Sequence, residues 1–214
     1  MEAASQAVRP VRVLVVSGSS RPDSHVRTVV DLGVETLQAA GADLSIVDLG
    51  AMQLPVFIHG DHAQPTMPDV VTVRREAAWA DAMLLVTPEY HGNMSGALKN
   101  WFDFLYLELA GTLAGVVAVT GGGGGDMSLT AVERCVSWCH GFCLPYRAAA
   151  RAADFDEHGA LAPNVAARVQ RLAYDLVRYA PPIRATWEAA RAEGSGVEAG
   201  VAGLHANDPG SSDA

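Results

Sequence analysis

Cysteine is scarce: only Cys135, Cys139 and Cys143 occur among 214 residues. So small and odd a number cannot close a disulfide framework and suits a reducing compartment. Lysine is scarcer still, since Lys99 is the only one among 15 basic residues. With alanine and glycine abundant, that arginine bias reads as a GC-rich coding preference rather than a binding surface. The basic residues do not cluster, and 24 acidic residues leave a net charge of −9. Such a balance repels phosphate backbones and argues against general nucleic-acid binding. No apolar run approaches the roughly 18–20 residues that span a bilayer. The opening MEAASQAVRP lacks the apolar stretch of a secretory signal. The expectation is a soluble, cytoplasmic protein. What the chain does have is apolar mass: 50% of its residues are hydrophobic, too many for a wholly disordered chain and ample for one buried core.

Strands and helices alternate along the sequence. Residues 11–17 (VRVLVVS) form a continuous apolar run that predicts a buried parallel strand. Ser24 is placed to cap a helix whose apolar stripe is Val26, Val29, Val30, Gly33, Val34 and Leu37, with Gly41 ending it. Residues 44–49 predict a second strand, 50–69 an irregular proline-bearing excursion, 69–80 a short helix and 82–86 a third strand. Residues 88–93 read as loop. From Met94 a stripe of Ala97, Leu98, Trp101, Phe102, Leu105 and Leu109 runs at helical spacing. A fourth strand at 113–119 precedes five glycines, then a helix at 126–141, a strand at 142–149 and a helix at 164–179. This alternation predicts an α/β fold: a doubly wound, five-stranded parallel sheet in the order 2-1-3-4-5, with helices on both faces. Residues 1–10 are expected to be a flexible N-terminus and 11–180 one domain. After Pro181-Pro182, residues 181–214 are expected to be a flexible tail rich in Gly, Ala, Ser and Asp.

In such a sheet, ligands sit beyond the carboxyl ends of the strands, and the unusual sequences fall there. Gly18-Ser19-Ser20-Arg21-Pro22-Asp23-Ser24 follows the first strand. It is neither G-x-G-x-x-G nor a nucleotide P-loop. It still offers three hydroxyls, a guanidinium and a helix N-terminus, which is what a phosphate monoester needs. The plain alternative is an ordinary strand-to-helix turn. The third strand leads into Thr87-Pro88-Glu89-Tyr90-His91-Gly92-Asn93, and the fourth into Thr120 and Gly121–Gly125. A glycine run lets backbone N–H groups approach a flat ligand with no Cβ in the way. A phosphate end and a planar end together suggest flavin mononucleotide (FMN).

The segments GSSRPDS, TPEYHGNMSGALKNWFDFL and TGGGGG resemble those of the NADPH-dependent FMN reductase family of the flavodoxin-like superfamily. That family includes flavin, quinone, azo and chromate reductases. The resemblance covers residues 12–180. It implies a flavodoxin-like fold and hydride transfer from NADPH or NADH, through bound FMN, to a small acceptor. By position it places Ser19, Arg21, Ser24, His25 and Val26 around the FMN phosphate. Pro88, Glu89, Tyr90 and His91 would border the isoalloxazine, with Thr120, Gly121 and Gly122 on its other side. Lys99, Asn100 and Asp103 match the family's KNxxD signature and would fix the helix and its loop. Two positions depart from the pattern: His91 stands where asparagine is frequent, and Met94-Ser95 lacks a proline. The resemblance also implies a homodimer or homotetramer, with the helix at 94–109 at the interface, and leaves room for a monooxygenase partner.

Other readings stand beside this one. The three cysteines could ligate a metal, but core packing explains their spacing better. His59, Asp61 and His62 read as an exposed loop before they read as ligands, so no metal is expected. Met94, Trp101 and Phe102 read first as core. Glu89 could be a catalytic acid, though a loop anchor or intersubunit partner suits it better. His91 could donate a proton to the second substrate, or only replace the loop hydrogen bonds of asparagine. A flavodoxin-like electron carrier and a flavin-shuttling subunit stand as the rival functions.

Overall fold

The computed structural model describes residues 9–207. Most of the segment expected as a flexible N-terminus, and the last seven residues of the expected tail, lie outside the described residues. The strands are β1 (Arg12–Ser17), β2 (Asp43–Asp48), β3 (Ala82–Tyr90), β4 (Asn93–Met94), β5 (Leu113–Thr120), β6 (Phe142–Cys143) and β7 (Ala148–Arg151). The helices are α1 (His25–Ala39), α2 (Pro68–Trp79), α3 (Gly96–Asp103), α4 (Asp126–Trp138) and α5 (Pro163–Ala192). One sheet runs β2-β1-β3-β5-β6, with β4 added to β3 and β7 to β5. All pairings are parallel except β3 with β4.

Alternation along the central strands feeds two cores. Leu14 and Val16 of β1 face α2, α3 and α4, where Val73, Leu98, Trp101 and Val132 are buried. Val13 and Val15 face α1 and α5, against Val26, Val29, Val169 and Leu172. Covering both faces is what lets these strands be continuously apolar. In α1 the Ser24 hydroxyl accepts from the Val26 N–H at 3.2 Å, as the sequence suggests. Gly33 lets α1 lie on the sheet, since a Cβ there would come within 2.4 Å of Leu84.

The sheet differs from the expected five strands in two places. The third strand does not stop at Val86 but runs to Tyr90 and turns back as β4, so much of the expected loop is a hairpin. The single strand expected at 142–149 is broken into β6 and β7, both on the outer side of β5. Pro145 lies at the break, where it has no N–H to give the ladder.

Three helices also differ from expectation. α3 stops at Asp103, and a 3-10 turn at Leu107–Leu109 keeps Leu105 and Leu109 buried. Glu108 holds that turn, accepting from the Tyr106 N–H at 2.9 Å and from Arg74 at 2.6 Å. α4 stops at Trp138 because His140 turns left-handed, with φ 62°, and the Gly141 N–H closes on the Val136 carbonyl. α5 continues through Pro181 and Pro182 to Ala192. Tertiary packing outweighs the lost hydrogen bonds: Trp187 is buried against Ala110 and Ala202, over the face of Gly111. The 3-10 segment Val197–His205 then packs on α5, burying Ala199, Ala202 and His205. Residues 181–207 are therefore not the expected free tail. No helix of the described residues is long and apolar enough to cross a membrane.

Candidate functional site

The three loops meet at the carboxyl edge of β1, β3 and β5. The first leaves β1 at Gly18, where the Gly18 N–H donates to the Val86 carbonyl at 2.8 Å. A Cβ at Gly18 would sit 2.8 Å from that same oxygen, so glycine is required by close approach. Ser19 is buried, and its hydroxyl accepts from the Arg21 N–H at 3.2 Å. Gly50, beyond β2, packs on the backbone of Ser19 and Ser20 and braces the turn from outside. Arg21 is exposed, and among the described residues its guanidinium meets the Asp23 carbonyl, at 3.4 Å. Ser24 caps α1 as an acceptor and keeps its own proton to donate.

The side chains of His25 and Val26 are taken up by contacts within the protein. The His25 ring stacks on Phe155, with centroids 4.0 Å apart and planes at 13°. Thr28 reaches the Gly159 carbonyl nearby, at 3.4 Å, so this face of α1 is tied to the β7–α5 connection. The Val26 side chain is fully buried in the core. What these two positions offer a phosphate is the N-terminal backbone of a 15-residue helix.

The second loop is the β3–β4 hairpin. His91 and Gly92, with φ 52° and 70°, occupy its two turn positions. Such a turn favours Asn-Gly, and histidine is among the residues that tolerate the left-handed region. Pro88 is buried, Glu89 half-buried, and Tyr90 and His91 exposed. The fully buried Thr87 accepts from the Ser95 N–H at 3.1 Å, fixing where the hairpin returns to α3.

In the third loop the Thr120 hydroxyl donates to the Gly123 carbonyl at 2.7 Å. Gly121 and Gly122 have nothing within 4 Å of where a Cβ would stand, leaving their backbone open. Gly125, at φ 78°, turns the chain into α4. Across from it, Glu89 Oε2 accepts from the Ser128 hydroxyl at 2.9 Å and lies 3.4 Å from the Ser128 N–H. The carboxylate thus faces the first turn of α4, in keeping with a loop anchor.

The KNxxD residues act one layer back. Lys99 pairs with Asp103 one turn along α3. Asn100 clamps the excursion after β2, donating to the Pro55 carbonyl at 2.8 Å and accepting from the Phe57 N–H at 2.9 Å. Sequence reasoning misses Ser95 and Ser128, although Ser95 opens a helix in the manner of a cap. The cysteines sit away from this edge. Burial pushes the thiols up, Cys139 to about 11 and Cys143 to about 12, with Cys135 also raised. Among the described residues, no three or more His, Cys, Asp or Glu side chains gather as a metal site would require.

The donor set fits a phosphate at one end, through Ser19, Arg21, Ser24 and the α1 terminus. The bare backbone of Gly121 and Gly122 fits a flat ring at the other. A family model described as NADPH-dependent FMN reductase matches residues 11–155. The NADPH-dependent FMN reductase ArsH of Shigella flexneri is 31% identical over 189 residues, covering 84% of this chain and 72% of that protein. The NADPH azoreductase of a Bacillus strain is 28% identical over 137 residues, covering 63% and 74%. The fold is similar to that of an archaeal flavodoxin, with a TM-score of 0.56 at 10% identity over 80% of this chain and 99% of that one.

Proposed function

The chain belongs to the NADPH-dependent FMN reductase family, and from that premise we propose that it reduces a small planar acceptor with electrons from NADPH or NADH. It is a flavodoxin-like α/β oxidoreductase whose cofactor is FMN and whose donor is a nicotinamide. The acceptor class is a quinone, an azo or nitro compound, or free flavin. Relatives named for azo and for 2-hydroxy-1,4-benzoquinone reduction support that class. A cytoplasmic location and a homodimer or homotetramer belong to the same proposal.

The observation that carries the reading is the convergence of three loops of different chemistry on one edge. Bound FMN supplies the two-electron chemistry, and the protein supplies binding, orientation and electrostatics. Ser19, Ser24 and Arg21 hold the phosphate against the start of α1. Pro88, Glu89, Tyr90 and His91 wall one side of the ring site. Thr120, Gly121 and Gly122 would wall the other, where backbone N–H groups free of any Cβ would serve as preorganised donors to the ring. The exposed Tyr90 leaves the hairpin side accessible to a second molecule.

Anaerobic mixing of the FMN-loaded protein with NADPH or NADH tests this. Bleaching of the flavin band, then its return on adding a quinone, azo or nitro compound or free FMN, is the expected result. Bleaching by neither nicotinamide would make the protein a carrier of electrons between other proteins. Loss of FMN on moderate dilution, with turnover only when FMN is added, would favour the flavin-shuttling role.

A further inference from the structure

We infer that Glu89 is a positioning residue: its carboxylate ties the β3–β4 hairpin to the first turn of α4, so that the two loops walling the ring site keep one fixed separation. This rests on the reductase reading above for its consequence, though not for its geometry. Ser128 is fully buried and stands in the first turn of the 13-residue α4. Its hydroxyl lies 2.9 Å from both Glu89 Oε2 and the Gly125 carbonyl. It has one proton to give. The Gly125 carbonyl already accepts from the Leu129 N–H at 2.9 Å, as helix geometry requires. Of the two acceptors, the charged carboxylate is the stronger for the Ser128 proton.

Two further contacts repeat the link. Glu89 Oε1 lies under the glycine loop, 3.0 Å from where a Cβ on Gly123 would stand. At the hairpin tip, a Cβ on Gly92 would come within 3.0 Å of Met127 Sδ, the residue before Ser128. The hairpin thus lies close against both the glycine loop and the start of α4, and Glu89 makes the polar contact through Ser128. A carboxylate at a helix N-terminus is favoured by the aligned peptide dipoles, and a hydrogen bond to an ionised acceptor is stronger than a neutral one. The glycine run needs such an anchor, because glycine has the most backbone freedom to lose when a loop is held in one shape.

The test compares wild type with Glu89→Gln, Glu89→Ala, Ser128→Ala and the double alanine variant, each checked for folding by circular dichroism. Two quantities are read: FMN dissociation constants, and amide hydrogen exchange across residues 120–125 in the FMN-free protein. Each single alanine variant is expected to weaken FMN about tenfold and to speed exchange in the loop, the scale of one charged hydrogen bond lost. The double variant should be no more than about twofold worse than either single, since both remove one link. A glutamine amide keeps an oxygen that accepts from Ser128, so Glu89→Gln should restore affinity to within about threefold of wild type and leave the pH profile of turnover unchanged. Multiplied losses in the double variant, unchanged exchange in both single variants, or a Glu89→Gln variant as impaired as Glu89→Ala would each overturn the inference. If Glu89→Ala does not fold, Ser128→Ala alone decides through the same two readouts. Failure of wild type to bind FMN would count against the reductase reading, while loop exchange would still judge the tie.

Discussion

The Ser95 hydroxyl donates to the Gly18 carbonyl across 2.5 Å and accepts from the Leu98 N–H at 3.0 Å. One buried side chain therefore caps α3 and pins the turn that leaves β1, joining the loop after β1 to the helix of the KNxxD signature. Ser95→Ala removes a helix cap, costing about 1 kcal/mol, and leaves a buried carbonyl short of a donor, at about 1–3 kcal/mol. A lower urea midpoint with an unchanged slope, equivalent to roughly 2–4 kcal/mol, is expected. A loss under about 0.5 kcal/mol, the scale of an ordinary surface change, would contradict this role.

Arg21 is exposed, and the proposed function gives its guanidinium to the FMN phosphate. Losing one charged hydrogen bond, about 1.5–3 kcal/mol, should make Arg21→Ala bind FMN roughly 10- to 150-fold more weakly. Riboflavin, which has no phosphate, should be nearly indifferent. Isothermal titration with both ligands checks this, and equal losses for both would refute the assignment.

His91 owes its place to backbone conformation. At φ 52° beside Gly92 it fills a turn position that asparagine fills at least as well. His91→Asn should therefore leave stability unchanged or slightly raised, with both half-reactions intact in stopped flow. His91→Val, β-branched in the left-handed region, should cost about 1–3 kcal/mol. A His91→Asn variant whose reoxidation slows by about 10²-fold, the scale of acid–base assistance, would restore the proton-donor reading.

On the opposite edge of the sheet, His140 Nδ1 and His205 Nε2 lie 2.6 Å apart, so one ring must donate and the other accept. Burial, then the neighbouring His205, pushes His140 below the ordinary histidine value. A histidine lowered in the folded state binds its proton more readily when unfolded, so stability rises with pH across that interval. The full contribution is present above the ordinary value of about 6.5, and it is lost as pH falls through that value to the lowered one. Urea unfolding from pH 8 to 5 should show the decline, and His140→Asn, which suits φ 62°, should flatten it. An equal decline in wild type and variant would assign the pH dependence elsewhere.

The raised thiols make a chemical prediction. With Cys139 near about 11 and Cys143 near about 12, the thiolate fraction at pH 8 is small. Alkylation of the native protein should be far slower than after denaturation, and replacing all three by alanine should spare flavin binding. Rapid stoichiometric labelling of the native protein would contradict both expectations.

The fold class was legible because β1, β3 and β5 are buried on both faces, which writes continuous apolar runs into the sequence. The glycine and serine loops were legible for a related reason, since close approach and helix capping demand particular residue types. The hairpin was missed because Pro88 and the two left-handed positions read as loop, although His-Gly meets the demands of a tight turn. α5 was cut short at Pro181 because local propensity cannot report that Trp187, far along the chain, has a seat on Gly111. The anchors escaped for a similar reason: Ser95 and Ser128 act on Gly18 and Glu89, distant partners that no local spacing reveals.

Lys99, half-exposed and paired with Asp103, makes the protein chemically addressable. It is the only side-chain amine in the sequence, so an amine-reactive dye finds one known side chain on the folded protein, on α3. Trp138 lines the same surface groove as Lys99 and is 80% exposed. Dye and indole then form a donor–acceptor pair across that groove, and a Trp138→Phe variant separates its signal from those of the other three tryptophans.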